Sequence, residues 1–208
     1  MERLIEFDTT VFRWINGHYN GVLDWLLWTV SQHWCWAVVI VAVYLLVTLR
    51  RDRRSWAWVL IGVVLCFLLA DQISNNAIKD GVQRLRPCWA LDGVRMFRTS
   101  QGGRYGFVSS HAANVFALAM FFSLLYGGKR RRGQQNEGGG DSTEPYRAAW
   151  LPWVLMAWAC LVGYSRCYLG KHYPGDVVCG AFLGLGVGAL VYFVISRIRR
   201  LIASRSSA

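Results

Sequence analysis

The chain has 208 residues, 54% of them hydrophobic, with 11 tryptophans and a mean hydropathy of +0.28. Its apolar blocks are too many and too long for a soluble helical protein, which leaves a bundle of membrane helices. The formal net charge of +11 is divided among clusters that flank apolar blocks, a pattern of membrane-protein loops and not of a nucleic-acid surface.

The opening segment, MERLIEFDTTVFRWIN, mixes acids with apolar residues and lacks the basic-then-apolar order of a cleaved signal. Leu4, Ile5, Phe7, Val11, Phe12 and Ile15 recur at helical spacing, which predicts an N-terminal amphipathic helix in the membrane interface. Val22 to Val30 is apolar but too short to span alone, so residues 1–33 are expected to be interfacial or a partial span. Five longer blocks follow: Trp34 to Leu49, Trp56 to about Ala77, Ser109 to Tyr126, Trp150 to Tyr164, and Gly175 to Ile195. They predict an all-α polytopic bundle of five to six spans, forming one domain over residues 1–208. The glycines and charges of residues 127–147 predict a flexible cytoplasmic loop.

Arg50, Arg51, Arg53 and Arg54, then Lys129 to Arg132, then Arg197, Arg199 and Arg200 are separated by even numbers of these blocks. Their shared face is therefore expected to be cytoplasmic. The loops around residues 85–108 and 165–174 then face outward, against the charge bias. Lys79, Arg84, Arg86, Arg95, Arg98, Arg104, Arg166 and Lys171 all lie there, and an anionic ligand explains the surplus. Six cysteines include no CxxC pair, so zinc and thioredoxin chemistry are not indicated. Cys88 and Cys167 each follow a motif on the outer side, and their pairing is left open.

Three short stretches carry the chemistry. In KDGVQRLRP, Lys79 and Arg86 are seven residues apart, which on one helix places them on nearly the same face, before Pro87 stops it. Asp71 lies deeper in that segment, where a carboxylate is costly unless paired or used. In FVSSH, Ser109 and Ser110 open an apolar helix and offer hydroxyls and amides to an anion, with His111 beside them as a titratable group. Taken singly, these residues equally suit a snorkelling pair and a helix cap. In SRCYLGKHYPGD, Arg166 supplies a planar fork for phosphate oxygens. His172 and Asp176, four apart, suit a carboxylate that fixes an imidazole tautomer and leaves the other nitrogen to attack. His18 and His33 have no such neighbours and read as structural.

K-x6-RP, then Ser-x-His, then SR-x5-H-x3-D resembles the three-part signature of the type 2 phosphatidic acid phosphatase superfamily, across Lys79 to Asp176. The resemblance implies an integral-membrane lipid phosphatase with no metal and no cofactor. It implies His172 as nucleophile, Asp176 as its orienting partner and His111 as general acid. Lys79, Arg86, Ser109, Ser110 and Arg166 would bind phosphate. The second motif usually reads Pro-Ser-Gly-His, and here Val108 and Ser110 replace the proline and the glycine.

The implied substrate is a membrane lipid phosphate: undecaprenyl diphosphate, lipid A, phosphatidylglycerol phosphate or phosphatidate. The implied place is a bacterial inner membrane, with the site facing the periplasm or exterior. A two-histidine, one-carboxylate metal site is disfavoured by the surrounding cations. The alternative is a non-catalytic lipid-binding or transport protein that retains the pocket. No nucleic-acid partner is expected, and the oligomeric state is left open.

Overall fold

A computed structural model describes residues 2–48, 56–127 and 149–206. In chain order it contains α1 (Glu2–Gly17), α2 (Gly21–Ser31), α3 (His33–Thr48) and α4 (Trp56–Gln72). α4 widens into a π-helical turn (Ile73–Lys79) and ends in α5 (Asp80–Val82). α6 (Pro87–Ala90), α7 (Ser110–Tyr126), α8 (Leu151–Tyr168) and α9 (Pro174–Ser206) complete it. The basic clusters at residues 50–54 and 129–132, and nearly all of the expected loop at 127–147, lie outside the described residues.

The expectation of five to six spans is overturned. Among the described residues, two helices are long and apolar enough to cross a bilayer: Trp56–Val82, of 27 residues, and Pro174–Arg205, of 32. A third arises only if Gly21–Ser31 and His33–Val43, bent by 63°, count as one broken span. α7 has 17 residues, about 25 Å of helix against a hydrocarbon core of about 30 Å. Its apolarity serves the protein interior: Ala112, Ala113, Val115, Ala117 and Phe121 are at most 1% exposed. The apolar part of α8 is shorter still, and that helix ends in buried Ser165, Arg166 and Cys167. Hydropathy counts both kinds of burial alike, which is why the blocks outnumber the spans.

α7 is the central post, packed by α4, α8 and α9. The tightest seam is with α9, where Gly180, Gly184 and Gly188 lie against its backbone. A β-carbon on Gly184 would meet the Ala113 carbonyl oxygen at 2.3 Å, and one on Gly188 would meet that of Ala117 at the same distance. In lipid, association depends on close packing more than on water expulsion, so small residues every fourth position make the seam. The outer face of α9 carries Phe182, Leu190 and Phe193, a surface suited to acyl chains.

α1 is two-faced. Leu4, Phe7 and Trp14 are exposed, while Phe12, Ile15 and Asn16 are buried. The Asn16 amide donates to the carbonyls of Arg95 at 2.9 Å and Tyr168 at 2.8 Å. Arg95 forks onto Asp24 of α2 at 2.8 and 2.6 Å. These bonds hold the segment between α6 and α7 against the N-terminal helices. The helix breaks between α2 and α3 because Gln32 is extended (φ −79°, ψ 142°). The indole of Trp36 reaches back across the break to the Val30 carbonyl at 2.9 Å.

Candidate active site

The three stretches meet at one end of the bundle, where α7 and α9 begin and α8 ends. Ser109 caps α7, its hydroxyl accepting the Ala112 amide at 3.4 Å, and its own amide donates to the Asp176 carbonyl at 3.0 Å. α9 starts on Pro174, whose missing N–H costs nothing in a first turn, and carries Asp176 in that same turn.

Lys79 is held by a ladder along the π-helical turn. Asn75 donates to Asp71 Oδ1 at 2.8 Å, and Lys79 Nζ donates to Asn75 Oδ1 at 2.5 Å and to Ser110 Oγ at 2.6 Å. The Ser110 hydroxyl donates to Asn75 Oδ1 at 2.8 Å. Asp71 thus bears on the site through an amide rather than by a direct ion pair. A π-turn of this kind recurs at functional positions.

Lys79 and Arg86 do not share a helix, contrary to the sequence reading. The helix stops at Val82, and Gln83 adopts a left-handed conformation at φ 51°. The chain then turns into a bridge between Leu85 and Tyr105, and Pro87 starts α6 instead of ending a helix. Arg86 Nε donates to the Tyr105 carbonyl at 3.1 Å, and its amide donates to that of Arg104 at 3.0 Å. Gly106 packs tightly: a β-carbon there would lie 3.0 Å from Arg86 Cγ and 3.2 Å from Asp176 Oδ2.

His172 is 2% exposed and Asp176 is fully buried. His172 Nδ1 lies 3.6 Å from Asp176 Oδ2, an ion-pair approach rather than a hydrogen bond. Nδ1 has no hydrogen-bond partner. Asp176 Oδ2 also accepts the Tyr173 amide at 3.0 Å. Burial, then the charges of Arg86, Arg166 and Lys79, hold His172 well below the ordinary imidazole value, against an opposing pull from the Gly106 backbone.

Arg166 is 7% exposed, with Nη1 donating to Ser31 Oγ and Nε without a hydrogen-bond partner. Burial, then the charges of Arg166 and Arg86, lower Lys171 to about 8. Among the described residues, Lys79, Arg86, Arg166 and Lys171 form no ion pair with a carboxylate. Four such cations around one imidazole form a place for a multiply charged anion.

His111 interacts electrostatically with His172, Arg166 and Arg86. Its ring meets Trp36 at 4.8 Å and His33 at 5.0 Å, both edge to face. His33, read from sequence as structural, therefore stands beside His111. His18 does stand apart, its Nδ1 at 2.7 Å from the Trp14 carbonyl. Cys88 and Cys167 are free thiols.

Ser31, Trp36, Arg84, Asp8 and Lys171 were not singled out for the site. Arg84 and Lys171 gave a signal only as part of the cation surplus. The others sit in segments whose approach to the site is purely tertiary. Among the described residues no group of three His, Cys, Asp or Glu side chains is arranged to hold a metal ion.

The chain is 28% identical over 197 residues to the lipid A 4'-phosphatase of Porphyromonas gingivalis, covering 93% of this chain and 75% of that protein. It is 28% identical over 202 residues to the lipid A 4'-phosphatase of Bacteroides thetaiotaomicron, covering 95% and 81%. The fold is similar to the transmembrane PAP2 type phosphatidylglycerolphosphate phosphatase of Bacillus subtilis, with a TM-score of 0.62 at 19% identity over 97% of this chain and 89% of that one. The profile of the PAP2 superfamily matches residues 62–200 and so takes in every motif described above; the chain belongs to the PAP2 superfamily.

Proposed function

We propose that this protein is an integral-membrane lipid phosphatase that removes phosphate from an envelope lipid through a phosphohistidine on His172. The observation that carries the reading is the His172–Asp176 pair, buried beside Lys79, Arg86 and Arg166, which among the described residues form no ion pair with a carboxylate. With the Nδ1 proton facing Asp176, Nε2 keeps its lone pair and attacks phosphorus in line. The bond from phosphorus to the lipid oxygen breaks as His111 protonates that oxygen. Water then attacks the phosphohistidine, His111 takes its proton, and inorganic phosphate leaves.

Lys79, Arg86 and Arg166, with Ser109 and Ser110, hold the equatorial oxygens, where electrostatic stabilisation of phosphoryl transfer is greatest. Lys171 adds a fourth cation. Its Nζ lies 3.7 Å from where a Gly102 β-carbon would sit, and Arg86 Nη1 lies 3.9 Å from the same point. Two relatives that act on lipid A support a lipid A phosphate as substrate ahead of undecaprenyl diphosphate, phosphatidylglycerol phosphate and phosphatidate.

The whole chain acts as one membrane-embedded domain, with residues 1–33 at the interface. Arg197, Arg199 and Arg200 lie more than 20 residues beyond Asp176 on α9, or over about 30 Å of helix, a separation that matches the hydrocarbon thickness of a bilayer. The positive-inside bias then supports a site on the outer face of a bacterial inner membrane.

Purified protein assayed for phosphate release against those four lipids tests the reading. Release from lipid A, abolished by His172→Ala, supports it. Activity undiminished by that change contradicts it, and lipid binding without release returns the protein to the binding or transport class.

A further inference from the structure

Asp176 has a second set of partners to which the mechanism gives no part. Arg84 Nη1 donates to Asp176 Oδ1 at 2.9 Å, and Arg84 Nη2 donates to Asp8 Oδ2 at 2.7 Å. Asp8 Oδ1 accepts the amide of Gly175, the residue before Asp176, at 2.7 Å. The Arg84 guanidinium also lies over the Tyr173 ring at 4.1 Å. The edge of that ring meets Phe12 of α1 at 5.4 Å. Gly175 is required for this closeness, since a β-carbon there would lie 2.9 Å from Asp8 Oδ2. Asp8 and Phe12 are one turn apart on α1, which lies outside the matched region 62–200.

A carboxylate has two oxygens to distribute. The Oδ2 atom of Asp176 is aimed at His172 and takes the Tyr173 amide, while Oδ1 is held by Arg84. Turning Asp176 away from the imidazole breaks a charge-assisted bond to a guanidinium whose own position is fixed on its far side. Arg84 faces a second temptation, because a phosphate bound nearby offers it more charge than Asp176 does. Asp8 opposes that swing by holding the other arm of the fork.

We propose that Asp8 and Arg84 are positioning residues for the reaction. Together they fix the carboxylate of Asp176, and through it the imidazole of His172, and so make α1 a working part of the active centre. This inference rests on His172 being the nucleophile. Its signature is a loss in the chemical step without a loss of phosphate binding, because neither residue touches the substrate.

The test uses the full chain in mixed micelles with lipid A and phosphatidate, measuring kcat, KM and inhibition by inorganic phosphate and by orthovanadate. Asp8→Asn and Arg84→Met are expected to lower kcat by about a hundredfold, the scale of a small misplacement of a reacting group. KM and phosphate inhibition are expected to stay within about twofold. Orthovanadate, which must bond the imidazole, is expected to bind more weakly in step with kcat, and Arg84→Lys to recover part of the loss.

Turnover within about twofold of the parent in both variants overturns the inference, as does a loss that appears in phosphate affinity instead. Asp8→Asn preserves shape and carries the test if Arg84→Met does not fold. Retained activity in His172→Ala overturns the phosphatase reading and this inference together. An inactive His172→Ala beside a fully active Asp8→Asn overturns this inference alone.

Discussion

The amide of Ser109 donates to the carbonyl of Asp176 at 3.0 Å, so the helix carrying His111 and the helix carrying Asp176 are joined at their first turns. Below that joint the glycine seam between α7 and α9 keeps the two backbones at a fixed separation. Site geometry in this protein is therefore a consequence of helix packing.

Gly184→Ala places a β-carbon 2.3 Å from the Ala113 oxygen and forces the helices apart. A destabilisation of about 1–3 kcal/mol is expected from such overpacking, read as a fall in the midpoint of thermal unfolding in detergent. Gly186→Ala is the control, because nothing lies within 4 Å of its added carbon. There the helix propensity of alanine is expected to stabilise by up to about 1 kcal/mol.

Two groups outside the spanning helices contribute to the pH profile. His172 is held well below 6.5, so its neutral, attacking form persists as pH falls through that value and is lost only at a lower pH. Lys171 is pulled to about 8, so its positive charge is present below that pH and is lost as pH rises through it. kcat/KM is expected to show no acid limb for the nucleophile at 6.5 and to weaken above about pH 8. Lys171→Arg is expected to remove the alkaline loss, measured as kcat/KM across the range with lipid phosphate.

Ser110 is, with Val108, one of two residues at which the second motif departs from Pro-Ser-Gly-His. Its hydroxyl has a specific task, since it accepts from Lys79 and donates to Asn75. Ser110→Ala is expected to lower kcat/KM by about tenfold, which is about 1.4 kcal/mol and near the low end for a hydrogen bond to a charged group. Steady-state phosphate release measures it.

Much of the site was legible in the sequence, and the reasons differ by residue. His172, Asp176 and Arg166 lie in one short stretch, so a loop and a helix start suffice to bring them together. Lys79 and Arg86 were placed in one region but on the wrong scaffold, because a single left-handed residue, Gln83, breaks a helix that heptad spacing assumes. His33 and Trp36 reach His111 only because Gln32 kinks the chain between α2 and α3. Asp8 and Arg84 meet across 76 residues of sequence, a distance at which no local pattern reports. The number of spans failed for a different reason: apolar residues facing α7's neighbours and apolar residues facing lipid have the same hydropathy.

The orientation of the site is expected from the arginines at the far end of α9. A reporter fused after Arg205 is expected to be cytoplasmic, and one inserted near Asp92 to be exported. Reporter activity on each side of the membrane measures both, and the reverse pattern inverts the orientation.

The central claim is tested most directly by trapping the phosphoenzyme. Protein mixed with lipid substrate labelled at its phosphate, quenched in alkali and digested, is expected to carry an alkali-stable label on His172. The label is expected to be absent from His172→Ala. Phosphate release with no labelled protein at any time, or with label on His111 instead, contradicts the account.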